Sequence, residues 1–394
     1  MSYFRDLVPD AARFAAITDP GTALETLARE QGFGHVFCAN PEIGGRYSAL
    51  SHFGMVPATM GGVGARAILE HAETARQAAT PTLAHDRSGP LWLGLAVGEL
   101  ARRGRDKLTF VCDEPLGSFG LWVEQLVAES TGKQGTGIVP VAAEPLGEPG
   151  AYGDDRVFVR IRNAADPDKD ADERLAALAD ADQPVLTVSY EEPEEVGGLF
   201  FTWEFAIATA GHVLGINPFD QPNVQEAKDL TNEVIEAYVR DGGFQDDDEL
   251  AVASAGSALA DLLGNAGPGG YFAVLAYVPE SDEAEAALRD LRVAVRDARH
   301  CATTTGYGPR YLHSTGQLHK GGTPSGIFLQ VTSDPVAEAP IPGKDYDFGA
   351  LVRAQAIGDL KALQAKERPA LRVNAGSDPV AGLRELSETI KEVL

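Results

Sequence analysis

Four segments carry side chains able to move protons or hold an anion. In "AESTGKQGTGIV", residues 128–139, Glu129 follows a strongly apolar helical run and precedes glycines and hydroxyls. A helix C-terminus favours cations, so helix stability does not account for an acid there. Shielded from water, such a carboxyl would be held above its ordinary pKa, as a general base working near neutrality requires; in isolation it also reads as a solvated loop acid. "EIGGRYSAL", 42–50, sets Arg46 after two glycines, where a guanidinium could fix an anion or lie solvated in a turn. "GHVLGINPFDQPNVQEAKDLTNEVIEAYV", 211–239, is a turn followed by a helix, with Lys228 about one turn inside and near the apolar face. Such a lysine could equally pack its stem and send its head to water. "RYLHSTGQLHKGGTPSGIFLQV", 310–331, places His313, Gln317, His319 and Lys320 ahead of a strand. His313 is a candidate acid/base group. His313 and His319 lack companion Cys, Asp or Glu ligands, so no metal is expected, and surface histidines are the plain alternative.

Overall charge limits what these groups could serve. The 33 Lys and Arg against 58 Asp and Glu give −25, which opposes nucleic acid and anionic membrane surfaces. An anionic substrate would need a few focused cations, and Arg46, Lys133, Lys228 and Lys320 stand beside glycine-rich turns. Cys38, Cys112 and Cys301 fit neither a metal nor a disulfide pattern and read as buried thiols in a reducing compartment. No signal-peptide pattern or span-length apolar run is present, so the reading is cytoplasmic, with no membrane partner. "GGVGARAIL", 61–69, superficially matches a dinucleotide fingerprint but lacks the preceding strand and the following acid, and no cofactor is expected.

The elements that must position these groups follow from periodicity. With 394 residues the chain has room for two or three domains. Strand-length apolar runs occur near 36, at 108–112, 156–161 and 185–189, and from 271, 326 and 370. Helix-period segments such as "FGLWVEQLV" and "DEAEAALRDLRVAVRDA" separate them, which predicts α/β layers with largely parallel sheets. "RDGGFQDDDEL", 240–250, is the linker candidate. A strand, helix, strand order recurs from 152 and from 325 as a faint internal echo.

Taken together, "GGRYSALS", "AESTGKQGTGI", "LGINPFDQPNVQEAK" and "LHSTGQLHKGG" resemble the phosphoglucose isomerase family, most closely the isomerase half of bacterial transaldolase/glucose-6-phosphate isomerase fusions. The resemblance implies sugar isomerase-like parallel α/β layers that interconvert glucose 6-phosphate and fructose 6-phosphate without metal or organic cofactor. It gives Glu129 the proton transfer between C1 and C2 of the open-chain sugar, Arg46 the stabilisation of the enediolate, and Lys228 with His313 the opening of the ring. It also implies substrate contacts at Gly45, Ser130, Thr131, Lys133, Gln221 and Gln317, and a homodimer.

Two features depart from the family pattern. The "LHS" histidine follows the "FDQ" motif, whereas in shorter members it precedes it. The 43 residues before Gly44 contain no Ser/Thr/Gly phosphate loop. The expected organisation is therefore a remnant of a first sugar isomerase subdomain at 1–50, a second at 51–240 and a C-terminal α/β subdomain at 250–394. A transaldolase or the missing N-terminal subdomain would complete the protein. The alternatives are a non-catalytic phosphosugar-binding fragment and an isomerase that also accepts mannose 6-phosphate.

Overall fold

The computed structural model describes residues 1–79, 89–220, 222, 224–244, 249–335 and 339–394, with backbone alone over 224–228. The first part comprises α1 (Ser2–Leu7), β1 (Ala15–Thr18), α2 (Ala23–Glu30), β2 (His35–Cys38), α3 (His52–Met60), α4 (Ala65–Ala78) and α5 (Gly89–Arg102). Next come β3 (Lys107–Cys112), α6 (Phe119–Thr131), β4 (Val139–Val141), β5 (Arg156–Asn163), α7 (Lys169–Asp180), β6 (Val185–Tyr190), α8 (Val196–Leu214) and α9 (Val224–Asp241). The last part runs through β7 (Glu249–Ala251), α10 (Gly256–Leu263), β8 (Tyr271–Tyr277), α11 (Asp282–Arg299), β9 (Ala302–Tyr307), α12 (Gly316–Gly321), β10 (Gly326–Thr332), α13 (Phe348–Ala365), β11 (Ala370–Asn374) and α14 (Pro379–Val393).

These strands form three sheets, ordered β1-β2, β4-β3-β5-β6 and β7-β11-β10-β8-β9. Among the described residues every pairing between these strands is parallel, with Leu108 opposite Val157 in the second sheet and Val274 opposite Leu329 in the third. Parallel strands need crossover helices on their faces, and burial on both faces explains why "YFAVLAY" and "GIFLQVT" are apolar almost without alternation. On α11, Ala284, Ala287, Leu288, Leu291 and Val295 face inward at helical spacing. The Ser281 hydroxyl accepts from the Ala284 amide (3.1 Å) to start that helix. The internal echo corresponds to β5-α7-β6 and β10-α13-β11, each pairing adjacent parallel strands.

A buried polar joint connects the second and third sheets. Arg156 pairs with Glu144 at 3.0 Å with both side chains fully buried, and also donates to Thr109 (2.8 Å) and the Cys301 carbonyl (3.2 Å). Glu144 accepts from the Thr303 amide and hydroxyl, while Arg292 donates to the carbonyls of Ala142 (3.1 Å) and Thr303 (2.6 Å). Buried charges survive only when paired and hydrogen-bonded this fully. The joint therefore fixes β4 and β9, the facing edges of the two sheets, relative to each other.

One expectation needs correction. Of the three cysteines only Cys301 is fully buried; Cys38 and Cys112 are half-buried. The "GGVGARAIL" segment lies in the turn between α3 and α4 and in α4 itself, with no strand leading into it. Of the linker candidate, residues 245–248 lie outside the described residues.

Candidate active site

Glu129 belongs to the last turn of α6, which continues through Thr131, and is 5% exposed; it is not a solvated loop acid. Burial pushes its carboxyl up to about 7, and the nearby Arg46, the Gln125 amide and Lys133 moderate the rise. An Arg46 guanidinium nitrogen stands 3.9 Å from the carboxylate, and the Gln125 amide donates to it at 3.4 Å. The negative end of the α6 dipole acts in the same direction as burial. The acid the sequence left unexplained is thus held where it can exchange protons near neutrality.

Arg46 comes from a 3-10 turn, Gly45–Tyr47, yet is 3% exposed. Its Nε donates to Ser130 Oγ (2.9 Å), and Nη2 donates to the carbonyls of Pro218 (2.6 Å) and Asp220 (2.9 Å). The Tyr47 hydroxyl shares a proton with Ser130 Oγ at 3.1 Å. The guanidinium is therefore locked by its fork geometry rather than left to sample rotamers. Gly45 is exposed, and a Cβ there would meet no protein atom within 4 Å, so the chain's own packing does not demand glycine at that position.

The loop at 217–220 completes the site. α8 ends at Gly215, whose φ of 75° is the left-handed cap that glycine adopts without strain. Asn217 Oδ1 then accepts from the Phe219 amide (3.0 Å), turning the chain back toward Glu129. Lys133, fully buried, donates to the Asn217 carbonyl (2.8 Å) and the Asp220 carboxylate (2.7 Å), and also bonds the Asp220 carbonyl. Burial lowers the Lys133 pKa, opposed by Asp220. Arg46 and Lys133 thus hold the "NPFD" loop from two sides, uniting three of the four sequence motifs.

The remaining candidates divide. Thr131 Oγ1 donates to the Val127 carbonyl (2.8 Å) and accepts from the Ile138 amide (2.9 Å), so it ties the end of α6 to β4. The Gln317 amide donates to the Gly132 carbonyl (2.9 Å), which seats α12 against the end of α6. Gly132 permits that approach: a Cβ there would lie 2.4 Å from Leu318 Cα. His319 is buried against Tyr271, Tyr311 and Phe328, not on the surface, and burial lowers its pKa well below the usual histidine value. Lys320 pairs with buried Asp359 at 2.5 Å.

His313 is exposed and lines a 540 Å³ cavity that Gln125 also lines, so Gln125 connects it to Glu129. Lys228 falls within α9, but its side chain, like Gln221, lies outside the described residues. Sequence reasoning missed Gln125, Tyr47 and Asp220. The i, i+4 spacing of Gln125 from Glu129 was the available signal for the first. Among the described residues no group of three or more His, Cys, Asp or Glu is placed to hold a metal, and no helix is long and apolar enough to cross a membrane.

Fold and site together define a parallel α/β protein built around a buried carboxyl beside a fixed guanidinium. The chain matches no protein-family model. It is 31% identical over 256 residues to a glucose-6-phosphate isomerase of Lactobacillus helveticus, covering 55% of this chain and 57% of that protein. It is likewise 31% identical over 261 residues to one of Heliobacterium modesticaldum, covering 56% and 58%. The chain is thus similar to proteins named glucose-6-phosphate isomerase, and it spans somewhat over half the length of these curated relatives. A solved glucose-6-phosphate isomerase from Chlamydia trachomatis aligns with TM-score 0.49 and 22% identity over 59% of this chain and 55% of that one.

Proposed function

We propose that this chain carries the proton-transfer centre of an aldose-ketose isomerase that interconverts glucose 6-phosphate and fructose 6-phosphate. The observation that carries the reading is the buried Glu129 carboxyl, held up to about 7 and set 3.9 Å from Arg46. In the open-chain aldose, Glu129 removes the proton from C2 while the C1 carbonyl oxygen takes up negative charge, giving a cis-enediol(ate). The same carboxyl then delivers a proton to C1, while the C2 hydroxyl passes its proton to the C1 oxygen and becomes the carbonyl. Hydrogen moves within the substrate and no external oxidant or reductant enters. A fixed cation lowers the barrier where negative charge develops, and Arg46, immobilised by Ser130 and two carbonyls, is suited to that task. The similarity to enzymes named glucose-6-phosphate isomerase supports the substrate class.

Ring opening is assigned to Lys228 and His313. The base removes the anomeric hydroxyl proton, the C1 to ring-oxygen bond breaks, and the acid protonates the departing ring oxygen. A coupled assay for fructose 6-phosphate formed from glucose 6-phosphate tests the activity. Substituting Lys228 or His313 by Ala should slow turnover of the cyclic sugar far more than that of an open-chain substrate. Equal losses on both substrates would remove the ring-opening assignment, and a folded wild-type chain without isomerisation would remove the function.

A further inference from the structure

α6 carries a second buried carboxyl that the proposed reaction leaves unused. Glu124 is 7% exposed and lines the 540 Å³ cavity, with no hydrogen-bond or ion-pair partner among the described residues. The cavity opens where β4 and β9 end: Ala142 and Ala143 follow β4, while Thr305, Gly306 and Tyr307 close β9. Parallel α/β folds take their ligands outside the carboxyl ends of their strands, and this place is a meeting of two such edges. An unpartnered carboxyl costs free energy when buried, a cost that a hydrogen-bonding ligand would offset.

The wall chemistry narrows the ligand. Both guanidiniums in it are engaged: Arg292 binds the Ala142 and Thr303 carbonyls, and Arg310 faces Glu280 at 3.5 Å. A phosphate would meet Glu124, Glu280 and Glu285 with no unengaged guanidinium to hold it, and a cation would meet the two arginines. A neutral ligand rich in hydroxyls suits both, because each hydroxyl can donate to a carboxylate and accept from an amide, imidazole or phenol. Gln125, His313 and Tyr307 supply those groups, and Trp122 supplies an apolar face for C–H surfaces.

We propose that this cavity binds the polyhydroxylated part of a sugar, with Glu124 as its central hydrogen-bonding group. The choice of a sugar rests on the isomerase reading, whereas the place and the residue rest on the geometry. Gln125, which also donates to Glu129, makes the cavity continuous with the proton-transfer centre.

The test is binding of D-glucitol, a hexitol that cannot be isomerised, to the 394-residue chain by calorimetric titration. Glu124→Leu should weaken binding about tenfold or more, the loss expected for a hydrogen bond to a carboxylate. Glu124→Gln should restore part of it. Wild-type affinity in folded Glu124→Leu or Glu124→Gln, or no saturable glucitol binding by wild type, would overturn the proposal. Glucitol binding that needs Glu124 in a chain without isomerase activity would sink the isomerase reading alone. Isomerase activity with Glu124-independent binding would sink this inference alone.

Discussion

Replacing Arg46 by Ala should move the acidic limb of the pH-rate profile upward. The guanidinium stands 3.9 Å from the Glu129 carboxylate. Unit charges about 4 Å apart interact by about 4 kcal/mol at an effective dielectric near 20 and by about 1 kcal/mol in water. Glu129 is buried but surrounded by polar groups, so a loss of about 1.5–3 kcal/mol is appropriate, or about 1–2 pH units. A base must be ionised to act, so activity rises with pH through its pKa, which lies at about 7 in the wild type. At pH 7 the Ala variant would then have about a tenth or less of Glu129 ionised, against about half in the wild type, before counting lost enediolate stabilisation. Arg46→Lys separates the effects, because it keeps a charge but cannot reproduce the fork to Ser130, Pro218 and Asp220. It should lower kcat with a much smaller displacement of the limb. The assay is kcat/KM for glucose 6-phosphate against pH, with circular dichroism to establish folding. An acidic limb unmoved in a folded Arg46→Ala protein would refute the electrostatic reasoning.

Two further substitutions probe the frame around the site. Glu204 on α8 is half-buried, its Oε1 has no partner, and burial pushes its carboxyl up to about 8. A raised folded-state pKa makes the folded protein bind the proton more tightly than the unfolded chain, so this group lowers stability as pH rises from about 4.5 to about 8. Glu204→Gln should therefore gain about 1–3 kcal/mol at pH 9 and almost nothing at pH 5 in denaturant titrations; equal effects at both would contradict the assignment. Gly132→Ala should cost about 1–3 kcal/mol and reduce isomerisation, because its Cβ would meet Leu318 Cα and push α12 away from α6. A melting temperature and activity equal to wild type would show that the contact yields freely.

The central strands were legible because both of their faces are buried, which leaves continuous apolar runs such as "YFAVLAY". β4 is three residues long and contains Pro140, and β9 reads "ATTTGY", so neither stands out as an apolar run. Their strand character comes from the joint of Glu144, Arg156, Arg292 and Thr303, a tertiary feature without local periodicity. Glu129 and Arg46 were legible as candidates from residue type and glycine context, and the fold brings them within 3.9 Å of each other. That Lys133 grips the "NPFD" loop was not, because its partners lie more than eighty residues away, as the separations of 84 and 87 to Asn217 and Asp220 record. Gln317 likewise reads as a candidate ligand contact, yet its amide reaches the Gly132 carbonyl across a separation of 185 residues.

The central claim is that Glu129 carries the proton between C1 and C2. Glu129→Gln keeps the size of the side chain and removes its basicity, so it should leave the fold intact. Glucose 6-phosphate incubated with the chain in deuterium oxide reports the step by nuclear magnetic resonance, through exchange of the C2 hydrogen. The wild-type chain should exchange that hydrogen with solvent and form fructose 6-phosphate. The Gln variant should lose both by on the order of 10²–10⁴-fold, the contribution of a positioned general base. Exchange at the wild-type rate in a folded Glu129→Gln protein would contradict the account.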